Sequence, residues 1–246
     1  MVRRGRPPQD PARHLERAHR ILDAAAELIL RWGYDKTTIE DVARAADVAK
    51  GTIYLHWKTR DALFIALLRR DRVHMVQQVR AAAPGTLPEL VGELIAALLS
   101  RPLTRAALVG DSRVLGKLTR QKLEGGGSPE RAVIFRHYLD ELVALGAVRT
   151  DLAADERLAM VTALMYGFLI PQGMRPQDQR LPDDRIAELV ADAVGRALGT
   201  GTPPGPEVTR TTRAYLDALE EISCHQLAGS LGQEGRPPEA PLKETR

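Results

Sequence analysis

The stretch that decides the fold is Thr38-Ile39-Glu40-Asp41-Val42-Ala43-Arg44-Ala45-Ala46-Asp47-Val48-Ala49-Lys50-Gly51-Thr52-Ile53-Tyr54-Leu55-His56-Trp57-Lys58-Thr59-Arg60-Asp61-Ala62-Leu63. Ile39, Val42, Ala43 and Ala46 recur at three- and four-residue steps, the period of a helix with one apolar face. Thr37-Thr38-Ile39-Glu40-Asp41 sets a hydroxyl with a carboxylate three residues on, the chemistry of a capping box. A short helix is therefore expected from this point to about Ala45. Asp47 falls where the chain needs a tight turn, and Asp enters the left-handed region more readily than most residues, though less readily than Gly. Val48 to about His56 reads as another short helix. Thr59, with Asp61 in the turn that follows, is an N-cap for a long helix reaching Ala83.

Working outward, Ile21, Leu22, Ala25, Leu28, Ile29 and Trp32 form the apolar face of a helix from about His14, which Gly33 terminates. Three helices with a tight turn between the second and third match a helix-turn-helix. The second must pack across the third, and Ile39, Val42, Ala43, Ala46 and Val48 are small or apolar enough to allow it. The third must offer small, hydroxyl and basic groups to a major groove, and Ala49, Lys50, Thr52 and Tyr54 meet that demand. A generic helical hairpin satisfies the packing and turn conditions too. Tyr54 and Trp57 also fit as core aromatics, and His56 as a plain surface residue.

Charge sharpens the reading. Residues 1–60 carry 12 Lys and Arg against 8 Asp and Glu, whereas the remaining 186 carry 23 against 24. The positive excess sits at the end that holds the motif, as suits contact with a polyanion. Arg3, Arg4 and Arg6 belong to a Pro-rich segment, residues 1–13, read as a flexible basic arm that is either a solvated tail or a minor-groove contact. No run of about 18 apolar residues indicates a membrane span, and no signal-peptide pattern follows the basic start. Cys224 stands alone, so no intrachain disulfide is possible; it is expected as a small, near-buried side chain in a cytoplasmic protein.

Downstream the pattern stays helical. Breaks fall at Pro84-Gly85, Arg101-Pro102, Gly125 to Pro129, Gly146, Pro171 and Gly199. They bound helices at 87–99, about 103–110, about 112–123, 129–145, about 152–170 and about 182–198. No strand alternation is present, so the fold class is all-α. Residues 14–62 are expected as the helix-turn-helix domain and 63–200 as a larger helical domain. Residues 201–246 are expected as a linker, an amphipathic helix at about 207–228 and a disordered tail.

The segment from Thr38 to Leu63 resembles the signature of the TetR family of bacterial regulators, a likeness that covers most of residues 15–65. It implies a ligand-responsive DNA-binding transcriptional regulator. The family default is a repressor that binds a palindromic operator as a homodimer and is released by a small molecule. By this resemblance Thr38 contacts phosphate, Lys50 and Thr52 read base edges beside Ala49, and Tyr54, His56 and Lys58 hold phosphates. Asp47 stands where the family commonly has Gly, Arg60 where Lys is usual with the charge kept for phosphate, and Trp57 where Phe is usual.

The resemblance also implies a dimer built from the helices at 152–170 and 182–198. The first is too apolar for one buried face, and Leu164, Gly167 and Phe168 are its expected contacts. An effector pocket is expected between the long fourth helix and those at 87–145. Its candidate lining is His74, Gln78, Leu94, Leu98, Arg113, Leu115, Phe135 and Tyr138. Only five of the ten aromatics follow residue 64, which favours an aliphatic or mixed pocket for a lipid-like or antibiotic-like molecule. An enzyme is not expected: the sequence lacks a nucleophile elbow, a phosphate-binding loop, a Rossmann fingerprint and a zinc-protease motif. The six histidines show no ligand spacing, and no metal or cofactor is expected. The competing class is a DNA-bound structural or adaptor protein with no small-molecule effector.

Overall fold

In a computed structural model, which describes residues 11–109, 129–174 and 176–231, the chain forms an all-α architecture. Helix α1 (Pro11–Trp32) is followed by α2 (Ile39–Ala45), α3 (Lys50–His56) and the long α4 (Arg60–Ala82). Then come α5 (Leu87–Leu99) and α6 (Pro102–Val109) and, beyond residues 110–128, α7 (Pro129–Ala144), α8 (Ala154–Met174), α9 (Asp183–Leu198) and α10 (Pro206–Ser230). The expected helix at 112–123 and the loop at 125–128 lie outside the described residues. The sole β feature among them is a single antiparallel bridge, Val148 to Gly199, which ties the turn after α7 to the end of α9.

Local chemistry fixes the ends. Thr38 caps α2 in a complete capping box: its hydroxyl accepts from the Asp41 amide at 3.1 Å, and the Asp41 carboxylate accepts from the Thr38 amide at 3.2 Å. Thr59 caps α4 and Thr86 caps α5 through hydroxyls that accept from Ala62 and Glu89 amides. Asp47 takes φ 53°, the left-handed turn expected of it. Helix α8 departs from expectation. It passes through Pro171 and runs to Met174, since a proline in the final turn removes only one ladder bond.

Two apolar cores form. The first gathers Ile21, Leu22, Ala25 and Ile29 of α1, Ile39, Val42 and Ala43 of α2, Ile53, Trp57, and Leu63, Phe64 and Leu67 of α4. The second gathers Val76 and Val79 of α4 with α5, α7, α8, α9 and α10. The first core therefore extends into α4, which contributes Leu63, Phe64, Ala66 and Leu67 to it. Helices α5 and α9 approach closely at Gly92, where an added Cβ would sit 3.2 Å from the Ala191 Cβ.

The amphipathic helix expected at about 207–228 is present as α10 and packs into the fold. Val208, Thr212, Tyr215, Leu216 and Leu219 of α10 are buried against α4 and α7. Its end crosses to the first core: Leu231 is 3% exposed among the residues of the reading head. Residues 232–246 lie outside the described residues, as does the basic arm over residues 1–10. Cys224 is exposed, not buried, because it falls on the outer stripe of α10 next to the inward Ser223.

Candidate DNA-reading surface

Helix α3 fully buries one residue, Ile53, and turns Lys50, Gly51, Tyr54 and Leu55 outward. Lys50, Gly51, Tyr54 and Leu55 are exposed, Thr52 is half-buried, and Ala49 and Lys58 flank them at the surface. Gly51 has nothing within 4 Å of where a Cβ would stand, so that stretch of backbone lies open to close approach. Thr38 is exposed at the start of α2, two residues from Glu40, whose carboxylate pairs with the Lys50 ammonium across the turn. Lys50 also lies 5.9 Å from the centre of the Tyr54 ring, and the Lys58 ammonium donates to the Tyr54 carbonyl at 3.4 Å. Thr38, Lys50, Tyr54 and Lys58 thus lie along one connected surface. The Lys50 partner holds its ammonium above the ordinary lysine range and the Glu40 carboxyl below its own.

Two expected residues are placed differently. The His56 ring turns inward: both its nitrogens are buried without a hydrogen-bond partner among the described residues. It stacks on His14 at 4.0 Å and lies 5.1 Å from Trp57, because the last turn of α3 closes against α1. Arg60 is held by the loop between α1 and α2. Its guanidinium donates to the carbonyls of Tyr34, Asp35 and Thr37 at 3.3, 3.4 and 3.1 Å and lies 4.0 Å over the Tyr34 ring. Leu55, 56% exposed on the reading helix, was not singled out by sequence; its place three residues before Lys58 on the outer stripe is the available signal.

Burial, and then His14 and Arg17, push the His56 imidazole down to about 4 from its usual 6.5. The folded head therefore holds a neutral ring. As pH falls below about 6.5 the unfolded chain takes up a proton that the fold refuses until about 4, so stability present above that window is lost within it. Chemical denaturation at stepped pH checks this: His56→Phe should flatten the acid limb. A limb of unchanged slope would place its origin elsewhere.

Comparison with known proteins bears on this surface. Residues 21–67 match the model described as bacterial regulatory proteins, tetR family. Over 185 residues the chain is 27% identical to the HTH-type transcriptional repressor Rv1474c of Mycobacterium tuberculosis, covering 74% of this chain and 94% of that one. Residues 21–67 are thus similar to the DNA-binding region of the tetR family of bacterial regulatory proteins. That family is one of DNA-binding transcriptional regulators and not of enzymes. Over 114 residues it is 33% identical to the repressor KstR of Mycolicibacterium smegmatis, 42% of this chain and 56% of that one. The fold is similar to that of FadR from Bacillus subtilis, solved in complex with stearoyl-CoA. The TM-score is 0.57 at 20% identity, over 75% of this chain and 99% of that one.

The second core places the expected effector residues apart. His74 and Gln78 are exposed, and Gln78 accepts from Arg101 at 2.6 Å. They stand on the outer stripe of α4, whereas Val73, Val76 and Val79 form its inner one. Leu98 is buried in the core, and Leu94 is half-buried against it. Arg113 and Leu115 lie outside the described residues. Phe135 and Tyr138 do meet, and with Tyr215 they form an aromatic trio of ring separations 4.8–6.2 Å. That trio belongs to the packed second core, with Tyr138 and Tyr215 buried in it.

The larger hollows on the described residues include a groove and a cleft. A groove of about 520 Å³ between the end of α4 and α10 faces solvent and is rimmed by Arg80, Arg213 and Glu220. A cleft of about 150 Å³ lies beside Pro88, Val148 and Val208. Neither is lined by the expected effector residues. Among the described residues no helix is long and apolar enough to cross a membrane, and no group of His, Cys, Asp and Glu is placed to hold a metal.

Proposed function

We propose that the protein is a repressor that binds a palindromic operator as a homodimer and leaves it when a small molecule occupies the second domain. The observation that carries this reading is α4. Leu63, Phe64 and Leu67 fix its first turns in the reading head, while Val76 and Val79 fix its last turns in the second core. A stiff helix of 23 residues, about 34 Å long, turns a small tilt at the sensing end into a displacement of the head. Half-sites about 34–36 Å apart tolerate little such displacement. Family regulators bind DNA and small-molecule effectors, typically as dimers. The repressor role of Rv1474c and the stearoyl-CoA held by FadR support repression and ligand response respectively.

On this reading Lys50 and Thr52 read bases, and Thr38, Tyr54 and Lys58 hold phosphates; His56 positions α3 from within instead of reaching DNA. Lys50 must leave Glu40 to do so. Selection of bound sequences from a random pool tests the class, with an inverted repeat as the expected product. On the selected operator, Lys50→Ala should lose about 1–3 kcal/mol and relax preference at one position. Lys58→Ala should weaken all sequences alike and reduce the salt slope by about one unit. Unchanged affinity in both Lys50→Ala and Tyr54→Phe would sink the assignment.

A further inference from the structure

Helix α10 enters both cores. Its first half buries Val208, Tyr215, Leu216 and Leu219 in the second core, and at its far end Leu227 and Leu231 pack into the first. From Val208 to Ser230 the helix runs about 33 Å at 1.5 Å per residue, so one stiff element lies beside α4 and joins the same two cores. Polar contacts follow α4 along its length. Arg80 pairs with Asp217 at 2.8 Å and with Glu220 at 2.9 Å, and Gln77 donates to Glu220 at 3.1 Å. Nearer the head, Arg69 donates to the Gln226 backbone carbonyl at 3.1 Å and to the Ser230 hydroxyl at 2.6 Å.

The far end of α10 is fixed by groups that a helix terminus leaves open. The last carbonyls of a helix lack partners within it, and the terminus as a whole attracts cations. Here the Ser230 carbonyl accepts from the Trp57 indole at 2.9 Å, and the Arg69 guanidinium lies against the final turns. Gln226 is held a second time from α7, where Arg131 donates to its side-chain oxygen at 2.8 Å. Trp57 is the residue at which α3 ends; its amide donates to the Ile53 carbonyl at 2.8 Å and closes the last turn. Direct contacts therefore run from α7 and α4, through the end of α10, to the C-terminal end of the reading helix. With α4 alone, the head would follow any bend of one helix. A second helix docked alongside at both ends removes that freedom and makes the head respond to where α10 lies against α4.

We propose that the end of α10 positions α3 for DNA reading, with Arg69 and Trp57 holding Gln226, Ser230 and Leu231 in place, and that release of this end lowers operator affinity. Trp57 and Leu231 are each 3% exposed, so they are positioning residues that act on DNA through α3 and do not touch it. The proposal rests on the reading of α3 as the DNA-reading helix.

The chain has two tryptophans, and replacing the exposed Trp32 by Phe leaves Trp57 as the only indole. In that full-length background, acrylamide quenching reports whether the end of α10 is docked, anisotropy reports affinity for the selected operator, and thermal unfolding reports the fold. Arg69→Gln and Leu231→Gln should each raise the quenching of Trp57. At a temperature where the chain is folded, each should also weaken operator binding about tenfold or more. Arg69→Lys, which keeps the charge and one donor, should recover part of the loss. The readout that a merely structural role would not move is half-site spacing. On operators whose spacer is one base pair longer or shorter, a displaced α3 should shift or flatten the parent's preference, whereas loss of folded protein weakens every spacer by the same factor. The salt slope should keep the parent's value, because no phosphate contact is removed. Should Leu231→Gln fail to fold, Arg69→Gln decides alone. Two results overturn the proposal: a Trp57 as shielded in Arg69→Gln as in the parent, or an equal loss across all spacers. Exposure of Trp57 at parental affinity also removes the positioning role, while leaving the reading surface as assigned above. A parent that selects no sequence removes the reading surface, and this proposal with it.

Discussion

Trp57→Ala is expected to destabilise the reading head by about 3–5 kcal/mol, the range for removing a buried aromatic. Trp57 is 3% exposed and closes the core where α3 passes into α4. Its indole nitrogen also donates to the Ser230 carbonyl at 2.9 Å, so the same side chain pins the far end of α10. Losses of this size approach the whole stability of a small domain. Operator binding should therefore fall with folding. Trp57→Phe separates the two contributions: the ring stays, the donor goes, and the loss should be about 0.5–1.5 kcal/mol. Denaturant unfolding of both variants decides. A Trp57→Ala midpoint equal to the parent's would show that the head is not organised around this residue.

The second large effect concerns assembly. From Leu158 to Leu169 helix α8 carries no charged residue, yet only Val161 and Leu169 of that run are fully buried in one chain. Leu164 and Phe168 are half-buried and Gly167 is exposed. Helix α9, expected to share the interface, directs Ile186, Val190 and Val194 to its own core; its outer face carries Arg185, Glu188, Asp192 and Arg196 in ion pairs. The apolar contact of a dimer would therefore come chiefly from α8. Phe168→Glu places a charge there and should raise the dimer dissociation constant about 100-fold or more. Because Phe168 also touches its own core, Gly167→Arg is the cleaner probe. Nothing lies within 4 Å of a Cβ at that position, so a single chain accommodates the arginine and a close helix pair does not. A sedimenting dimer of unaltered mass in both variants would place the interface elsewhere.

What the sequence revealed followed the range of the physics involved. The Thr38 capping box, the left-handed Asp47 and the Thr59 cap are decided within four residues, and each was readable as written. The site residues that moved depend on partners distant in sequence. His74 and Gln78 were placed inward, but which stripe of α4 faces the core is set by α5 and α10. His56 was read outward because nothing near it shows that His14, forty-two positions earlier, would cover it. Residues 200–206 look like a linker, with three Pro and three Gly among nearby positions, and so disguised α10 as an appendage.

The burial of Leu231 in the reading head has a consequence for biosynthesis. N-terminal segments ordinarily fold first as a chain leaves the ribosome. Here α1, α2 and α3 emerge early, but their core keeps a seat for a side chain that is translated long afterwards, together with the Ser230 carbonyl that Trp57 holds. The first core thus stays incomplete for most of elongation, and the order of synthesis itself delays its completion until α10 has also been made.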